Sequence, residues 1–199
     1  MAHIDYFFST VSPYTYLAGR RLEDVAQKHG ATITYKPVDI LALFNRTGGQ
    51  APSERHESRQ EYRLQDLARQ STKTGLPINV KPAFWPANPA PSSYAVIAAQ
   101  NAGGGDLGAL VRAITRACWA EERNIADEEV VRDCLEKSGF APELVNSGML
   151  VGAETYASNL EHAVLQGAFG APFYVTDSGQ RFWGQDRVED LDLHLSGKI

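Results

Sequence analysis

Two hydroxyl side chains, Ser12 and Thr15, stand where the first apolar segment ends and the first helix is predicted to begin. Ser12 is placed to cap this helix, and Pro13 follows at the first helical position, where its missing N–H costs nothing. The N-terminus of a helix carries partial positive charge, so a thiol brought there has a depressed pKa, and Ser12 could donate its hydroxyl hydrogen to the thiolate. A serine in this place is also an ordinary helix cap, and the residues alone leave both interpretations open.

The chain's own sulfur lies elsewhere. Cys118 and Cys134 are far apart in the sequence, and neither has a histidine beside it, so neither a zinc site nor a redox Cys-x-x-C motif is predicted. Each cysteine falls on an apolar helical stripe, which indicates a buried, inert thiol. The histidines are scattered without ligand spacing, and no metal site is expected.

Three arginines in the predicted helical stretch are spaced at helical intervals. Arg55, Arg59 and Arg63 recur every four residues, so they are predicted to share one face of a helix. Glutamates are interleaved with them and could pair with them on a solvated face, which is the alternative interpretation. These glutamates are Glu54, Glu57 and Glu61.

The elements that position these residues begin with a β-α-β unit. A first strand is predicted over His3 to Phe8, a helix from Pro13 to Gly30, and a second strand from Ala31 to Val38. Ser12 and Thr15 thus lie at a strand-to-helix corner.

The remainder is predicted to be a long helical stretch followed by a β-hairpin and a helix. Residues 45–167 read as helices and loops without a strand. Pro172–Thr176 and Arg181–Trp183 read as the two arms of a hairpin, and a last helix is predicted from Asp186, its N-cap, to Leu195. The predicted class is α/β, in which a β-α-β…β-β-α domain carries a large all-helical insertion.

Composition excludes several classes of protein. The chain has 199 residues and a formal net charge of -5, so it lacks the electrostatic footprint of a nucleic-acid-binding protein. No apolar run approaches the roughly 20 residues of a membrane span, and the first residues lack the basic region of a secretory signal. A cytoplasmic protein is the expectation.

Three motifs resemble the kappa-class glutathione transferases, and within them the 2-hydroxychromene-2-carboxylate isomerases. They are Tyr6 to Ala18, the stretch Gly167 to Pro172, and the stretch Trp183 to Arg187. The resemblance implies a DsbA-like thioredoxin fold in a single chain unit, with residues 1–44 and 168–199 forming the thioredoxin-like domain and residues 45–167 the helical insertion domain. DsbA-type oxidoreductases carry Cys-Pro-x-Cys where this chain has Ser12 and Thr15, and disulfide exchange requires a thiolate that these hydroxyls cannot supply.

The resemblance implies that glutathione is the cofactor. Ser12 is then expected to stabilise the glutathione thiolate, and a cis peptide bond before Pro172 exposes the backbone of Ala171 to the cysteinyl backbone of glutathione. The corner before the last helix is expected to hold the γ-glutamyl group. Its residues are Trp183, Gly184, Gln185 and Asp186.

The resemblance also implies a small aromatic substrate, a conjugated 2-oxo acid. Tyr14, Phe44 and Trp85 are expected to form the aromatic walls, Arg55 to bind the carboxylate, and Asn88 either to contact the substrate or to hold a turn. The isomerase pattern has a lysine where this chain has Phe44 and an asparagine where it has Glu54, which leaves room for another conjugated electrophile.

The resulting hypothesis is a glutathione-dependent cis-trans isomerase of the 2-hydroxychromene-2-carboxylate type, acting in aromatic-compound degradation by thiolate addition, bond rotation and elimination. One alternative is a kappa-like glutathione transferase or peroxidase. Another is a catalytically silent thioredoxin-like binding module. The family resemblance further implies a homodimer.

Overall fold

A mixed four-stranded sheet forms the centre of the protein. The structure is a computed structural model and describes residues 1–199. The strands are β1 (His3–Phe8), β2 (Thr32–Pro37), β3 (Phe173–Thr176) and β4 (Arg181–Trp183). Their order is β2-β1-β3-β4, with β1 parallel to β2 and antiparallel to β3. The predicted α/β class and the β-α-β…β-β-α layout are confirmed.

Ten α-helices surround this sheet. They are α1 (Pro13–Ala18), α2 (Arg21–His29), α3 (Ile40–Thr47), α4 (Glu57–Thr74), α5 (Ala90–Ala102), α6 (Leu107–Trp119), α7 (Glu128–Lys137), α8 (Leu144–Ser147), α9 (Met149–Leu165) and α10 (Val188–Leu195). A single 3-10 turn covers Pro52–Glu54.

Alternation along β1 divides the core between the two sheet faces. Ile4, Tyr6 and Phe8 point into the larger apolar cluster, which continues into α5, α6 and α7. Phe7 points to the opposite face, into a smaller cluster with residues of α3 and α9. Tyr6 stacks on Tyr174 of β3 with ring centroids 5.2 Å apart. The sheet is therefore covered on both faces, and the carboxyl end of β1 is held rigidly.

The prediction of one helix from Pro13 to Gly30 is wrong, because the helix is divided at Gly19. Gly19 has a φ of 61° and its N–H bonds to the Tyr16 carbonyl, which ends α1. A left-handed φ of this kind favours glycine. A single helix from Pro13 to Gly30 would have Gly19 in its interior.

Helix α3 was missed, although it carries ordinary signals at both ends. The Asp39 carboxylate accepts from the N–H groups of Leu41 and Ala42, at 3.0 and 3.1 Å. Gly48, with a φ of 79°, ends the helix. Asp39 and Gly48 are the residue types that start and stop helices, and α3 brings Phe44 to the corner after β1.

Two further predictions about helix ends are corrected. The N-cap of α10 is Arg187, and the Asp186 side chain makes no capping hydrogen bond. Arg55 is not on a helix face with Arg59 and Arg63, because α4 begins only at Glu57, after a His56 cap.

No helix is both long enough and apolar enough to cross a membrane. Cys118 and Cys134 are buried and free, as predicted. Burial raises the pKa of Cys118 to about 12 and that of Cys134 to about 11, so both thiols stay protonated at neutral pH.

Candidate active site

A cavity of about 430 Å³ opens at the carboxyl end of β1, between α1, α3, the Pro52 turn and the loop before α5. Most of the predicted site residues line it: Ser12, Tyr14, Phe44, Arg55, Trp85, Asn88, Ala171 and Trp183. The residues that do not line it are Pro172, Gly184, Gln185 and Asp186. The structure therefore brings the proposed substrate residues and Ser12 into one space.

Ser12 caps α1 and also contacts the loop that precedes β3. Its Oγ accepts from the Thr15 N–H at 3.3 Å and donates to the Ala171 carbonyl at 3.3 Å. Both bonds are at the long end of the normal range. Thr15 is buried and does not line the cavity, so Ser12 is the hydroxyl of this corner that faces it.

The Ala171–Pro172 peptide bond is cis, as expected. The Pro172 carbonyl accepts from the Gly184 N–H at 3.0 Å, which joins this loop to the corner before α10. The Ala171 N–H has no hydrogen-bond partner in the protein. Ala171 thus presents a free donor beside the Ser12 hydroxyl.

The corner before α10 is built around Trp183. Its indole lies against Gly170, where a Cβ atom would collide with the ring, and its centroid is 4.9 Å from that of Phe169. Gln185 is buried, whereas Asp186 is exposed, with only Arg187 nearby at 3.8 Å. The carboxylate of Asp186 is therefore accessible to a ligand.

Trp85 forms an ordered aromatic wall. Its indole Nε1 donates to the Val11 carbonyl at 3.2 Å, so the proline-rich loop is fastened to the residues just before Ser12. A second cis peptide bond, Trp85–Pro86, lies in the same loop. Asn88, by contrast, is exposed and its Oδ1 accepts from the Ala90 N–H at 3.1 Å, which is a turn-holding contact.

Tyr14 contributes both a wall and a polar contact. Its hydroxyl donates to Asp66 Oδ2 at 3.0 Å. Burial, together with the Asp66 carboxylate, raises the pKa of Tyr14 well above its ordinary value. The Tyr14 hydroxyl therefore remains protonated at any physiological pH.

Arg55 supplies an unpaired positive charge to the cavity. Its Nε donates to the Gln50 carbonyl at 3.0 Å, and its guanidinium lies 5.6 Å from the centroid of Phe44. Burial and the neighbouring Arg59 lower its pKa. No carboxylate forms an ion pair with it, so the alternative of a glutamate-paired solvated face does not apply to Arg55.

Three titratable residues of the cavity wall were not among the predicted site residues. They are Asp39, Arg63 and Tyr156. Arg63 had a signal, its spacing from Arg55, but a periodic arginine on an amphipathic helix reads equally as a solvated one. Tyr156 had none, because a tyrosine inside a helical stripe reads as core.

The fold and the cis-proline corner are those of the DsbA-like thioredoxin-fold class of proteins. The family model described as "DSBA-like thioredoxin domain" matches residues 3–196. Two curated relatives, both called 2-hydroxychromene-2-carboxylate isomerase, match almost the whole chain. The one from Sphingobium xenophagum is 31% identical over 96% of this chain and 97% of its own length. The one from Pseudomonas putida is 26% identical over 95% and 92%.

Solved structures agree on the fold. A 2-hydroxychromene-2-carboxylate isomerase superposes with a TM-score of 0.79 at 24% identity, covering 98% of this chain and 95% of its own. The cytosolic disulfide reductase DsbM from Pseudomonas aeruginosa, in its structure with GSH, superposes with a TM-score of 0.67 at 18% identity over 98% of both chains. The chain belongs to the family of DsbA-like thioredoxin-fold proteins that includes the 2-hydroxychromene-2-carboxylate isomerases.

Proposed function

We propose that the protein is a glutathione-dependent cis-trans isomerase of a conjugated aromatic 2-oxo acid, of the 2-hydroxychromene-2-carboxylate type. The observation that carries this proposal is the Ser12 hydroxyl, half-buried at the wall of an aromatic cavity that also contains an unpaired Arg55. The names of the relatives support isomerase chemistry.

The residues of the cis-proline corner fit glutathione. The free N–H of Ala171 and its carbonyl could pair with the cysteinyl backbone in the manner of an added strand. The accessible carboxylate of Asp186 suits the γ-glutamyl ammonium, with Trp183, Gly184 and Gln185 shaping the corner. Pro172 fixes the direction in which Ala171 presents its backbone.

Ligand binding would release the Ser12 hydroxyl for the thiol. In the free protein the single hydrogen of Ser12 is donated to the Ala171 carbonyl at 3.3 Å. A thiolate placed within reach is a stronger acceptor than that carbonyl, which can accept a glutathione backbone N–H in its place, so Ser12 can turn its hydrogen toward the sulfur. Hydrogen bonds to the charged form of a group lower the pKa of an acid such as a thiol. Ser12 thus acts as a donor and not as a nucleophile.

Bound glutathione supplies a thiolate that adds reversibly to the conjugated carbon and so permits rotation about the former double bond. Arg55 holds the substrate carboxylate through its guanidinium N–H groups, since only its Nε is already bonded. Phe44, Trp85 and Tyr14 enclose the ring and exclude water. Because the reaction has no net redox change, the buried and protonated Cys118 and Cys134 need take no part.

An isomerisation assay tests the proposal. Purified protein is mixed with a 2-hydroxychromene-2-carboxylate, and the change in ultraviolet absorbance is followed with and without glutathione. The expected result is catalysis only with glutathione, with a product of unchanged mass and glutathione recovered unaltered. A glutathione conjugate or oxidised glutathione would show transferase or peroxidase chemistry instead, and failure to bind glutathione in calorimetry would favour a silent binding module.

A further inference from the structure

A second guanidinium in the cavity has no use in the proposed reaction. Arg63 of α4 is half-buried and lines both the main cavity and an adjoining cleft of about 420 Å³. It forms no ion pair and no hydrogen bond within the protein, and its contacts are with aromatic rings. Leaving a half-buried cation without a counter-charge is costly, so the arrangement favours an anionic ligand.

The aromatic contacts orient this guanidinium. Its carbon lies 4.9 Å from the centroid of Trp85 and 5.8 Å from that of Trp119. Contact with the indole rings provides no hydrogen-bond acceptor, so the N–H donors of Arg63 stay free for a ligand. Trp85 is itself fixed through its bond to the Val11 carbonyl at 3.2 Å. Arg63 is therefore held against two tryptophans and presents unpaired N–H donors.

The adjoining cleft is lined by positive charge only, and Asp39 is the one carboxylate that lines the main cavity. Burial lowers the pKa of Arg63, and the charge of nearby Arg55 lowers it further, while Tyr14 opposes this. The adjoining cleft is lined by Lys81 and by no carboxylate side chain. Asp66, an acidic residue of the same helix, accepts the Tyr14 hydroxyl and forms no ion pair with Arg63.

We propose that Arg63 and the adjoining cleft form a second anion subsite, which gives the protein a preference for aromatic 2-oxo acids that carry a further carboxylate on the ring. The inference rests on the proposed function, in which Arg55 binds the carboxylate next to the oxo group. A planar guanidinium matches a carboxylate with two parallel hydrogen bonds, so a ring carboxylate facing Arg63 pairs with it directly.

The test compares three acids that differ only in the ring substituent. The affinities of benzylidenepyruvate and of its para- and meta-carboxylated forms are measured by calorimetry on the full chain. The wild type is expected to bind one of the carboxylated acids about tenfold or more tightly than the parent acid, as charge-assisted bonds warrant. Arg63→Gln should abolish this preference while leaving the parent acid's affinity within about twofold, and Arg63→Lys should retain part of it.

Arg59→Gln is the matched control. Arg59 is an arginine on the same helix, but it is exposed and does not line either space. Its removal should leave the preference intact. If Arg63 served only to brace the tryptophans, Arg63→Gln would lower the melting temperature and weaken all the acids equally, which would contradict the subsite.

Two further results separate the possible failures. A wild type that binds the parent acid but gains nothing from a ring carboxylate at either position would overturn the Arg63 subsite and leave the proposed function standing. Weaker glutathione binding by Arg63→Gln, with the preference between acids unchanged, would assign Arg63 to the glycine carboxylate of glutathione instead. Binding of neither the parent acid nor glutathione would overturn the subsite together with the proposed function.

Discussion

Replacement of Ser12 by alanine separates the structural role of its oxygen from its chemical role. As a helix cap, Ser12 accepts from the Thr15 N–H at 3.3 Å. Removing a cap usually costs about 0.5–2 kcal/mol of stability, and because this bond is long we expect a loss at the lower end of that range. As a donor to a thiolate, it makes a hydrogen bond to a charged group, worth about 1.5–3 kcal/mol. Ser12→Ala should therefore lower stability slightly and turnover about 10- to 150-fold.

The assay measures both quantities on the same preparations. Stability is taken from urea unfolding, and turnover from the ultraviolet isomerisation assay at saturating glutathione. The matched control is Asp127→Ala, which removes the N-cap of α7. The Asp127 carboxylate accepts from the Glu129 N–H at 3.4 Å, and the residue does not line the cavity. The control should lose a similar small amount of stability and keep its full turnover. Wild-type turnover in Ser12→Ala would refute the reasoning, as would a loss of turnover in Asp127→Ala of the same size.

Three other predictions concern groups in and around the site. Arg55→Gln should raise KM for the 2-oxo acid about tenfold or more, because one charge-assisted pair is lost. The Kd for glutathione should not change. Steady-state kinetics measure KM, and calorimetry measures Kd. Cys118 and Cys134, with pKa values raised by burial to about 12 and 11, should not react with a disulfide reagent at pH near 8 in the native protein, and both should react after unfolding in urea. Burial, and then the charge of Lys36, lower the pKa of His162 below its ordinary value of 6.5, so the unfolded chain binds protons more tightly and stability should fall as pH drops through that value. His162→Gln should flatten this part of the stability profile in urea unfolding at pH near 5.5 and 7.5, and an unchanged slope would show that other groups are responsible.

The sheet could be predicted from the sequence because its strands carry local signals. Alternating aromatic residues mark β1, and the turn residues before Arg181 mark the hairpin. The helix boundaries were less predictable. Gly19 inside an apolar helical period gave no sign that it would adopt a left-handed φ, and α3 was missed although Asp39 and Gly48 bracket it.

The two corners of the site were predicted from continuous sequence motifs. The residues deeper in the cavity could not be predicted in this way. The strand-to-helix corner at Ser12 and the Ala171–Pro172 corner are continuous motifs that can be read directly. Arg63 is different, because its importance depends on the way Trp85 folds back onto the Val11 carbonyl, which the proline-rich loop does not encode in any local pattern. Asp186 was predicted to cap α10, but the helix begins at Val188 and its N-cap is Arg187, which makes no side-chain capping bond.

The most direct test of the central claim is the pKa of glutathione's thiol when it is bound to the protein. It is measured from the ultraviolet absorbance of the thiolate in a pH titration at saturating glutathione, for the wild type and for Ser12→Ala. In the wild type the bound thiol is expected to have a pKa well below that of a free thiol, about 8.5, and in Ser12→Ala the pKa is expected to return toward the free value. A bound thiol with the same pKa in both proteins, or with the pKa of free glutathione in the wild type, would contradict the role assigned to Ser12.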